Sequence, residues 1–394
     1  MFSSNTADST PRIAAKTRRS PYCPCRALDG RATARQSTQP AGEDHQDLPG
    51  TGSGPPRKHP CPGRTEPRAG RTEPRAEAQN LDGWRKPSYS AAMRTARCLV
   101  GFILSGVGAD VQAAEEHAAA LVAQILESKR AIENSPACTR GCGFISAWDF
   151  DGTILKGDAS EGLIENDKIS YPGLLQKSIE AGYSSVYSKQ DFQRFWRDYQ
   201  DMDKKLGHIP AYTYLPKILK GTRFGDVQKF AASYYATVLQ PYYFKSSIEI
   251  FRTLRQSGVT PYVISAAPHV FVSSAGPTLS IDEKQIFGIA VAVNPDGTLT
   301  DRVIEPIPYA EGKAKRLSMI VDQEKARSKK PVYVLAAFGN SYHTDSKFLL
   351  WTLSQKLPAG KPTSVMINGG VAPSELSGTF TEVTQSALLR QLTH

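Results

Sequence analysis

The sequence lacks any apolar run long enough to remain in a bilayer as a helix, which takes about 20 consecutive residues. The apolar stretch at residues 98–109 covers only about a dozen. Hydrophobic residues make up 40% of the chain and charged residues 22%, a balance typical of globular proteins. This composition excludes a polytopic membrane protein and a wholly disordered chain, and we expect no stable membrane span in the mature chain.

Strong charge of one sign is also absent from most of the chain. The net charge of +10 is concentrated at one end, because residues 1–92 hold 15 Lys and Arg against 9 Asp and Glu. Residues 114–394 hold 31 basic and 28 acidic side chains, a net charge of only +3. A nearly neutral folded part does not indicate nucleic-acid binding, so we expect no nucleic-acid partner.

Residues 1–92 have few of the side chains that build a core. They hold 12 of the 27 prolines and only five Ile, Leu, Val or Phe residues. Residues 63–69 are repeated as residues 70–76 with a proline in each copy, which excludes a coiled coil. Such a segment cannot bury enough apolar area to offset the entropy of ordering it. We interpret it as a disordered basic tail rich in Pro and Arg, or as translated sequence upstream of the true start. A basic arm that binds nucleic acid or membrane is the less favoured alternative.

Residues 93–113 have the layout of a secretory signal peptide. A short positive region precedes the apolar stretch, and Val111 and Ala113 stand at positions −3 and −1 of a cleavage site. A buried helix is the alternative. Because a signal must begin near an N-terminus, we expect Met93 to be the biological start and the mature protein to begin near Ala114. The protein would then be periplasmic or secreted.

Cysteine is scarce beyond the signal peptide. Of six cysteines, only Cys138 and Cys142 lie in residues 114–394. In an exported protein such a pair can join in a disulfide. A metal site there is disfavoured, because two further ligands of the right type are missing nearby.

The clearest chemical signal follows an apolar run that starts at Phe144. This run is of strand type and ends in Asp149-Phe-Asp-Gly-Thr153, so two carboxylates on alternate residues point the same way. Like charges side by side need a cation or a shared proton, and a pair of hard oxygen ligands suits Mg²⁺. Taken alone, the motif is equally consistent with a capped turn at the end of a strand.

Three further polar positions occur in the same kind of context. A second apolar strand ends at Ser265, and a helix with an early lysine, Lys313, opens at residue 311. A third apolar strand precedes Asn340 and Asp345. The carboxyl ends of parallel strands converge on one crevice in an α/β sheet, so we expect these side chains to meet.

The four motifs in this order resemble those of the haloacid dehalogenase (HAD) superfamily of phosphatases, especially its phosphoserine-phosphatase-like branch. The resemblance covers about residues 143–370. It implies an α/β fold, with a HAD-like doubly wound parallel sheet, a Rossmann-like core and an inserted α-helical cap domain. The implied organisation after the tail (1–92) and the signal peptide (93–113) is an N-terminal helix with the first part of the core (114–159), the cap (160–245) and the rest of the core (246–394).

The resemblance also implies a role for each motif residue. Asp149 would be the nucleophile that forms an aspartyl-phosphate, and Asp151 the general acid and then the base. Lys313 would neutralise the nucleophile and the phosphate, while Thr153 and Ser265 would hold phosphate oxygens. The second aspartate argues against dehalogenation, because a halide leaving group needs no proton.

The cofactor that the resemblance implies is Mg²⁺, held by Asp149, the Asp151 carbonyl group and the fourth motif. The common fourth motif has Asp directly after a glycine and a second Asp four residues later. Here Asn340 occupies the first position and Thr344 the second, with Asp345 one residue beyond. An amide can ligate Mg²⁺ through its oxygen but adds no charge, so Asn340 and Asp345 are the candidate ligands.

The predicted cap is rich in aromatic residues, because residues 160–245 hold 16 of the 35 aromatic side chains. These can fill the thin core of a small helical domain, or form an aromatic cage for a cationic substrate such as phosphocholine. Asp158 lies nine residues after Asp149, where phosphoserine phosphatases place an acid that binds the substrate's amino group. Asp158 is equally well placed to cap a helix N-terminus.

Helices are also predicted over residues 114–134 and 246–258, and residues 286–307 are predicted to form two strands around a turn at 294–297. The combined expectation is an exported, Mg²⁺-dependent phosphomonoesterase. Its partner would be a small phosphorylated substrate, with phosphocholine or another amine-bearing phosphoester as the candidates. The alternatives are a phosphotransferase and a non-enzymatic ligand-binding protein on the same fold.

Overall fold

The computed structural model describes residues 116–392. The predicted tail and signal peptide, residues 1–113, lie outside the described residues and stay predictions. Residues 116–133 form helix α1, in agreement with the predicted helix. Cys138 and Cys142 follow it and are joined in a disulfide. Within residues 116–392, every helix is too short or too polar to cross a bilayer.

A six-stranded parallel sheet forms the centre of the fold. With strands numbered in chain order, its order is β10-β9-β8-β1-β4-β5. β1 lies inside the sheet between β4 and β8, and its last five residues are buried. A parallel strand covered on both faces is expected to be almost continuously apolar, as the sequence of β1 is. The strands are β1 (Gly143–Trp148), β4 (Thr260–Pro268), β5 (Ile286–Ile289), β8 (Val332–Gly339), β9 (Thr363–Ile367) and β10 (Thr381–Val383).

Two apolar cores lie on the two faces of the sheet. On one face Trp148 of β1 packs against Phe251 of α6, with 5.3 Å between the ring centroids. On the other face Ile145 of β1 belongs to a core that includes Leu317 of α9. The predicted doubly wound sheet is therefore confirmed. The helices of this part of the chain are α6 (Lys245–Gln256), α7 (His269–Val272), α8 (Gly276–Leu279), α9 (Glu311–Ser328) and α10 (Ser346–Leu353).

The segment between β1 and β4 is mainly helical but begins with a hairpin. The sequence analysis predicted only helices over residues 160–245, and so missed β2 and β3. The two-residue turn of this hairpin, Asn166-Asp167, has φ values of 51° and 61°. Asn and Asp tolerate this conformation, but without glycine they are a weak hairpin signal. The elements are β2 (Gly162–Glu165), β3 (Lys168–Pro172), α2 (Leu174–Ala181), α3 (Phe192–Leu206), α4 (His208–Lys217), α5 (Phe224–Tyr234) and a π-helical turn (Tyr235–Leu239).

Many aromatic side chains of this segment are buried in the apolar core that also covers one face of the sheet. Tyr171, Phe195 and Tyr235 are at most 2% exposed. Phe195 and Tyr199 stack along one face of α3, with 8° between their ring planes. This packing favours the core-filling interpretation of the aromatic residues over a cage around a ligand.

The remaining predictions of secondary structure agree with the fold in part. α6 ends two residues before Gly258, whose φ of 79° suits a helix stop. The turn at 294–297 joins the antiparallel strands β6 (Val291–Val293) and β7 (Leu299–Val303). The residues just before β6 were assigned to the same strand, but they form β5 and pair with β4 in the main sheet.

Candidate active site

The predicted motif residues meet in one cavity beyond the carboxyl ends of the central strands. β1 leads into Asp149 and Asp151, β4 carries Ser265, and the loop after β8 carries Asn340. Lys313 enters from the first turn of α9. The cavity volume is about 180 Å³. Pockets for drug-sized ligands measure roughly 300–1,000 Å³, so this cavity suits a small metabolite.

The turn after β1 depends on glycine at position 152. Its φ is 76°, a conformation that favours glycine. A Cβ atom built on Gly152 would also lie 1.9 Å from the side-chain nitrogen of Asn340. The amide of Asn340 therefore packs directly on this turn, and the contact joins the first and fourth motifs.

Lys313 is a buried ammonium group shared by two carboxylates. Its Nζ atom donates to Asp149 Oδ1 and to Asp345 Oδ1, each at 2.6 Å. All three residues are at most 4% exposed. Burial alone would lower the pKa of Lys313, but the two carboxylates raise it above its ordinary value. Lys313 therefore stays charged at neutral pH and holds Asp149 in place.

The pKa of Asp149 lies close to neutral pH, although the Lys313 ammonium group favours the ionised carboxylate. Burial and the nearby Asp345 raise its pKa to about 7, against the lowering effect of Lys313. Thr153 donates to its Oδ2 atom at 3.0 Å. The sequence predicted Thr153 as a phosphate ligand, but it is fully buried and lies outside the cavity lining. In this structure Thr153 orients the nucleophile candidate.

Asp151 occupies the same cavity in a setting that favours its protonated form. Burial raises the pKa of Asp151 well above its usual range, and the carboxylates of Asp158 and Asp149 add to this shift. Its Oδ1 atom accepts from the backbone N–H of Ala159 at 2.7 Å. Its Oδ2 atom accepts from the Ser265 hydroxyl at 3.3 Å. A positioned carboxyl group whose pKa is raised in this way can act as a general acid.

Asp345 lies outside the cavity and holds other residues of the site in position. Its Oδ2 atom accepts the backbone N–H groups of Asn340 and Ser341 at 2.9 and 3.0 Å. Its Oδ1 atom accepts from Lys313 and from the hydroxyl of Thr344. Asp345 has no exposed surface and does not line the cavity, whereas Asn340 does. Of the two candidate ligands in the fourth motif, only Asn340 is brought to the cavity.

The donor atoms at the cavity fit a hard cation such as Mg²⁺. Asp149 supplies carboxylate oxygens, Asp151 a further oxygen donor and Asn340 an amide oxygen. Within residues 116–392, no group of three or more His, Cys, Asp or Glu side chains is arranged as a metal site.

The turn from Asp158 to Glu161 forms another part of the cavity lining. Asp158 Oδ1 accepts the backbone N–H groups of Ser160 and Glu161, at 2.7 and 2.8 Å. No helix begins here, so Asp158 caps a turn and not a helix N-terminus. Tyr199 donates to Glu161 Oε1 at 2.6 Å, and Tyr212 of α4 also lines the cavity. The sequence analysis missed Glu161 and both tyrosines, because no local spacing marks them.

The C-terminal part of the chain, to which no chemistry was assigned, supports the first motif. The buried side chain of Gln385 donates to the backbone carbonyl oxygen of Thr153 at 3.0 Å. Ser247 of α6 donates to the same oxygen at 2.6 Å. These two hydrogen bonds fix the backbone four residues after Asp149.

The comparisons with known proteins give structural matches alone. No family model and no curated protein sequence matches the chain. A protein of unknown function from Bordetella pertussis Tohama I matches with a TM-score of 0.46 and 11% identity, over 61% of this chain and 98% of that one. A HAD-family hydrolase from Salmonella enterica serovar Typhi matches with a TM-score of 0.38 and 17% identity, over 63% and 68% of the two chains. A phospho-aspartyl intermediate analogue of phosphoserine phosphatase matches with a TM-score of 0.37 and 17% identity, over 64% and 97%. The solved structures to which this chain is similar thus include HAD-family hydrolases and phosphoserine phosphatase.

Proposed function

We propose that this protein is a phosphomonoesterase that acts through an aspartyl-phosphate on Asp149. The observation that carries the proposal is the pairing of two unlike carboxyl groups in one cavity. Asp149 lies 2.6 Å from a buried ammonium group, and Asp151 lies in an environment that favours its protonated form. A nucleophile and an acid are the two groups that this chemistry requires.

The first half of the reaction transfers the phosphoryl group to the protein. A carboxylate oxygen of Asp149 attacks phosphorus, and the ester P–O bond breaks with its electron pair moving to the leaving oxygen. Asp151 gives its proton to that oxygen. Lys313 balances the charge of Asp149 and of the phosphoryl group. The Ser265 hydroxyl, which donates to Asp151 in the structure, would turn to donate to a phosphoryl oxygen.

The second half releases phosphate and restores the site. Asp151, now ionised, takes a proton from water, whose oxygen attacks phosphorus. The bond between phosphorus and Asp149 breaks, and inorganic phosphate leaves. Asp149, Asp151 and Asn340 would hold Mg²⁺, which supplies further charge stabilisation to the phosphoryl group when bound.

We expect the purified protein to hydrolyse p-nitrophenyl phosphate with Mg²⁺ present and to lose that activity in EDTA. The measurement is steady-state release of p-nitrophenol, repeated with phosphocholine, phosphoethanolamine, phosphoserine and a sugar phosphate. Activity restored by Mg²⁺ after EDTA is the control for irreversible damage. Absence of turnover on every ester by the folded protein would contradict the proposal and favour a ligand-binding protein.

We also propose that the protein is exported. The disulfide between Cys138 and Cys142 supports this, because such bonds persist in oxidising compartments. We expect protein recovered from the periplasm or medium of a secreting host to begin at or near Ala114. N-terminal sequencing measures this, and an uncleaved protein confined to the cytoplasm would contradict it.

A further inference from the structure

Gln385, close to the C-terminus, has a buried side-chain amide that uses both its nitrogen and its oxygen. The residue is 6% exposed. Its Nε2 atom donates to the backbone carbonyl oxygen of Thr153 at 3.0 Å and to the hydroxyl of Ser247 at 2.9 Å. Its Oε1 atom accepts from the hydroxyl of Ser246. A buried amide paired at both ends is held in one orientation, so Gln385 is a fixed point beside the first motif.

The backbone of Gln385 is in turn fixed to the main sheet. The side chain of Asn368 accepts the N–H group of Gln385 at 2.8 Å and donates to its carbonyl oxygen at 2.9 Å. Asn368 directly follows β9, and its φ of 50° is one that asparagine tolerates. The N–H group of Asn368 donates to the carbonyl oxygen of Val383 in β10 at 2.9 Å. Two strands of the sheet therefore set the position of Gln385.

The start of α6 holds the same turn of the first motif. Ser247 donates to the carbonyl oxygen of Thr153 at 2.6 Å, and the N–H group of Phe244 donates to that of Ile154 at 2.8 Å. The C-terminal segment is bonded to this part of α6, because the N–H group of Lys245 donates to the carbonyl oxygen of residue 387 at 2.9 Å. The turn after β1 thus lies between α6 and the C-terminal segment, and the side chain of Gln385 contacts both.

Thr153 connects this contact to the nucleophile candidate. Its hydroxyl donates to Asp149 Oδ2 at 3.0 Å, while Lys313 donates to Oδ1 at 2.6 Å. Thr153 has no exposed surface and lies outside the cavity lining, so its hydroxyl can affect a substrate only through Asp149. Attack on phosphorus needs an aligned carboxylate oxygen, and a misplacement of about 1 Å can lower a rate about 100-fold. The position of Thr153 therefore matters for the direction of attack.

We propose that Gln385 is a positioning residue for Asp149 and acts through Thr153. The proposal rests on the proposed phosphomonoesterase function and adds to it a residue that lies outside all four motifs. Gln385 bonds to the carbonyl group of Thr153, and the hydroxyl group of Thr153 bonds to Asp149. Gln385 itself does not line the cavity. Its loss should therefore slow the chemical step without weakening substrate binding.

Gln385→Met tests the effect on the reaction, because methionine is flexible enough to fill the space and has no N–H donor. We expect kcat for p-nitrophenyl phosphate to fall by about 10- to 100-fold while KM stays close to the wild-type value. Steady-state kinetics measures both, at a temperature at which circular dichroism shows every variant to be folded. Tyr262→Phe is the control and should keep the wild-type kcat. It removes a hydrogen bond of 2.8 Å to Glu324, and neither residue lines the cavity.

A double-mutant cycle with Thr153→Val tests whether Gln385 acts through Thr153. Valine has nearly the shape of threonine but cannot donate to Asp149, so this variant should also lose kcat. If Thr153 carries the effect of Gln385, kcat of the double variant should lie within about two-fold of the slower single variant. Two independent effects would instead multiply. A residue that only stabilises the fold would not show this coupling, because every rate is measured on folded protein.

The outcomes separate this proposal from the proposed function. If the wild-type protein does not hydrolyse p-nitrophenyl phosphate, the proposed function fails and the positioning role fails with it. If it does, but Gln385→Met keeps the wild-type kcat or the two effects multiply, the positioning role fails and the function stands. If Gln385→Met does not fold, Gln385→Asn takes its place in the cycle. Asparagine keeps an amide near Ser246 but is one methylene shorter, so the same fall in kcat is expected, and an unchanged kcat would overturn the proposal.

Discussion

Asp149→Asn is expected to lower kcat for p-nitrophenyl phosphate by at least about 10³-fold, because an amide cannot serve as the attacking oxygen. The fold should survive the change. Burial and Asp345 raise the pKa of Asp149 to about 7, so the ionised carboxylate destabilises the folded state relative to a neutral group. The asparagine side chain has nearly the same shape as aspartate, and Lys313 keeps its contact with Asp345 at 2.6 Å. Steady-state kinetics and a thermal melt measure the two effects.

A covalent label distinguishes a nucleophile from a residue that only positions the substrate. Acid quenching of the wild-type protein during turnover of a ³²P-labelled ester should leave radioactivity on the chain, and Asp149→Asn should carry none. Asp167→Asn is a suitable control. Asp167 is exposed in the hairpin turn, and its φ of 61° suits asparagine. An Asp149→Asn variant that retained the wild-type rate or the label would overturn the nucleophile assignment.

The core sheet and the ring of motif residues could be predicted because they follow from local sequence. Asp149, Ser265 and Asn340 each come at or just beyond the end of an apolar run. Parallel strands bring such positions to the same edge of a sheet, whatever the length of chain between them. The motif residues therefore meet in one cavity, although Asp149 and Asn340 lie 191 residues apart in the sequence.

The part of the cavity that Glu161 lines could not be predicted in this way. Glu161 reaches it from a turn with no helical or strand periodicity, and Tyr199 from a helix 38 residues later in the sequence. The amphipathic pattern of α3 marks Tyr199 only as a core residue. Its hydrogen bond to a cavity carboxylate depends on how the helix packs on the turn. Gln385 was missed for the same reason, because its contact with Thr153 spans 232 residues.

The fourth motif shows a different limit of sequence spacing. Asp345 was a candidate metal ligand because its residue type and position were nearly right. In the fold, its two oxygens are taken by two backbone N–H groups, a hydroxyl and the ammonium group of Lys313. Spacing shows which residues come near the site, whereas the direction of the side chain decides whether a residue touches the ligand or supports one that does.

Lys313→Met is expected to reduce activity by at least about 10²-fold and to destabilise the fold by about 3–5 kcal/mol, the usual result of removing one partner from a buried ion pair. Lys313 is 1% exposed, and its removal leaves Asp149 and Asp345 facing each other without the ammonium group between them. Chemical denaturation at pH 7 measures the change in the free energy of unfolding. This loss of stability should become smaller as pH falls below about 7, because Asp149, whose pKa is raised by burial, then takes up a proton in the folded state.

The double variant Lys313→Met with Asp345→Asn separates the stability effect from the catalytic one. Removing Asp345's charge relieves the repulsion with Asp149 that helps to raise the pKa of the nucleophile. Asparagine can still accept the N–H groups of Asn340 and Ser341 through its amide oxygen. Part of the lost stability should therefore return, while activity stays low because no ammonium group faces the phosphoryl group. If the double variant regained activity, Lys313 would have only a structural role. If Lys313→Met alone were as stable as the wild type at pH 7, the buried ion pair would contribute nothing to the fold.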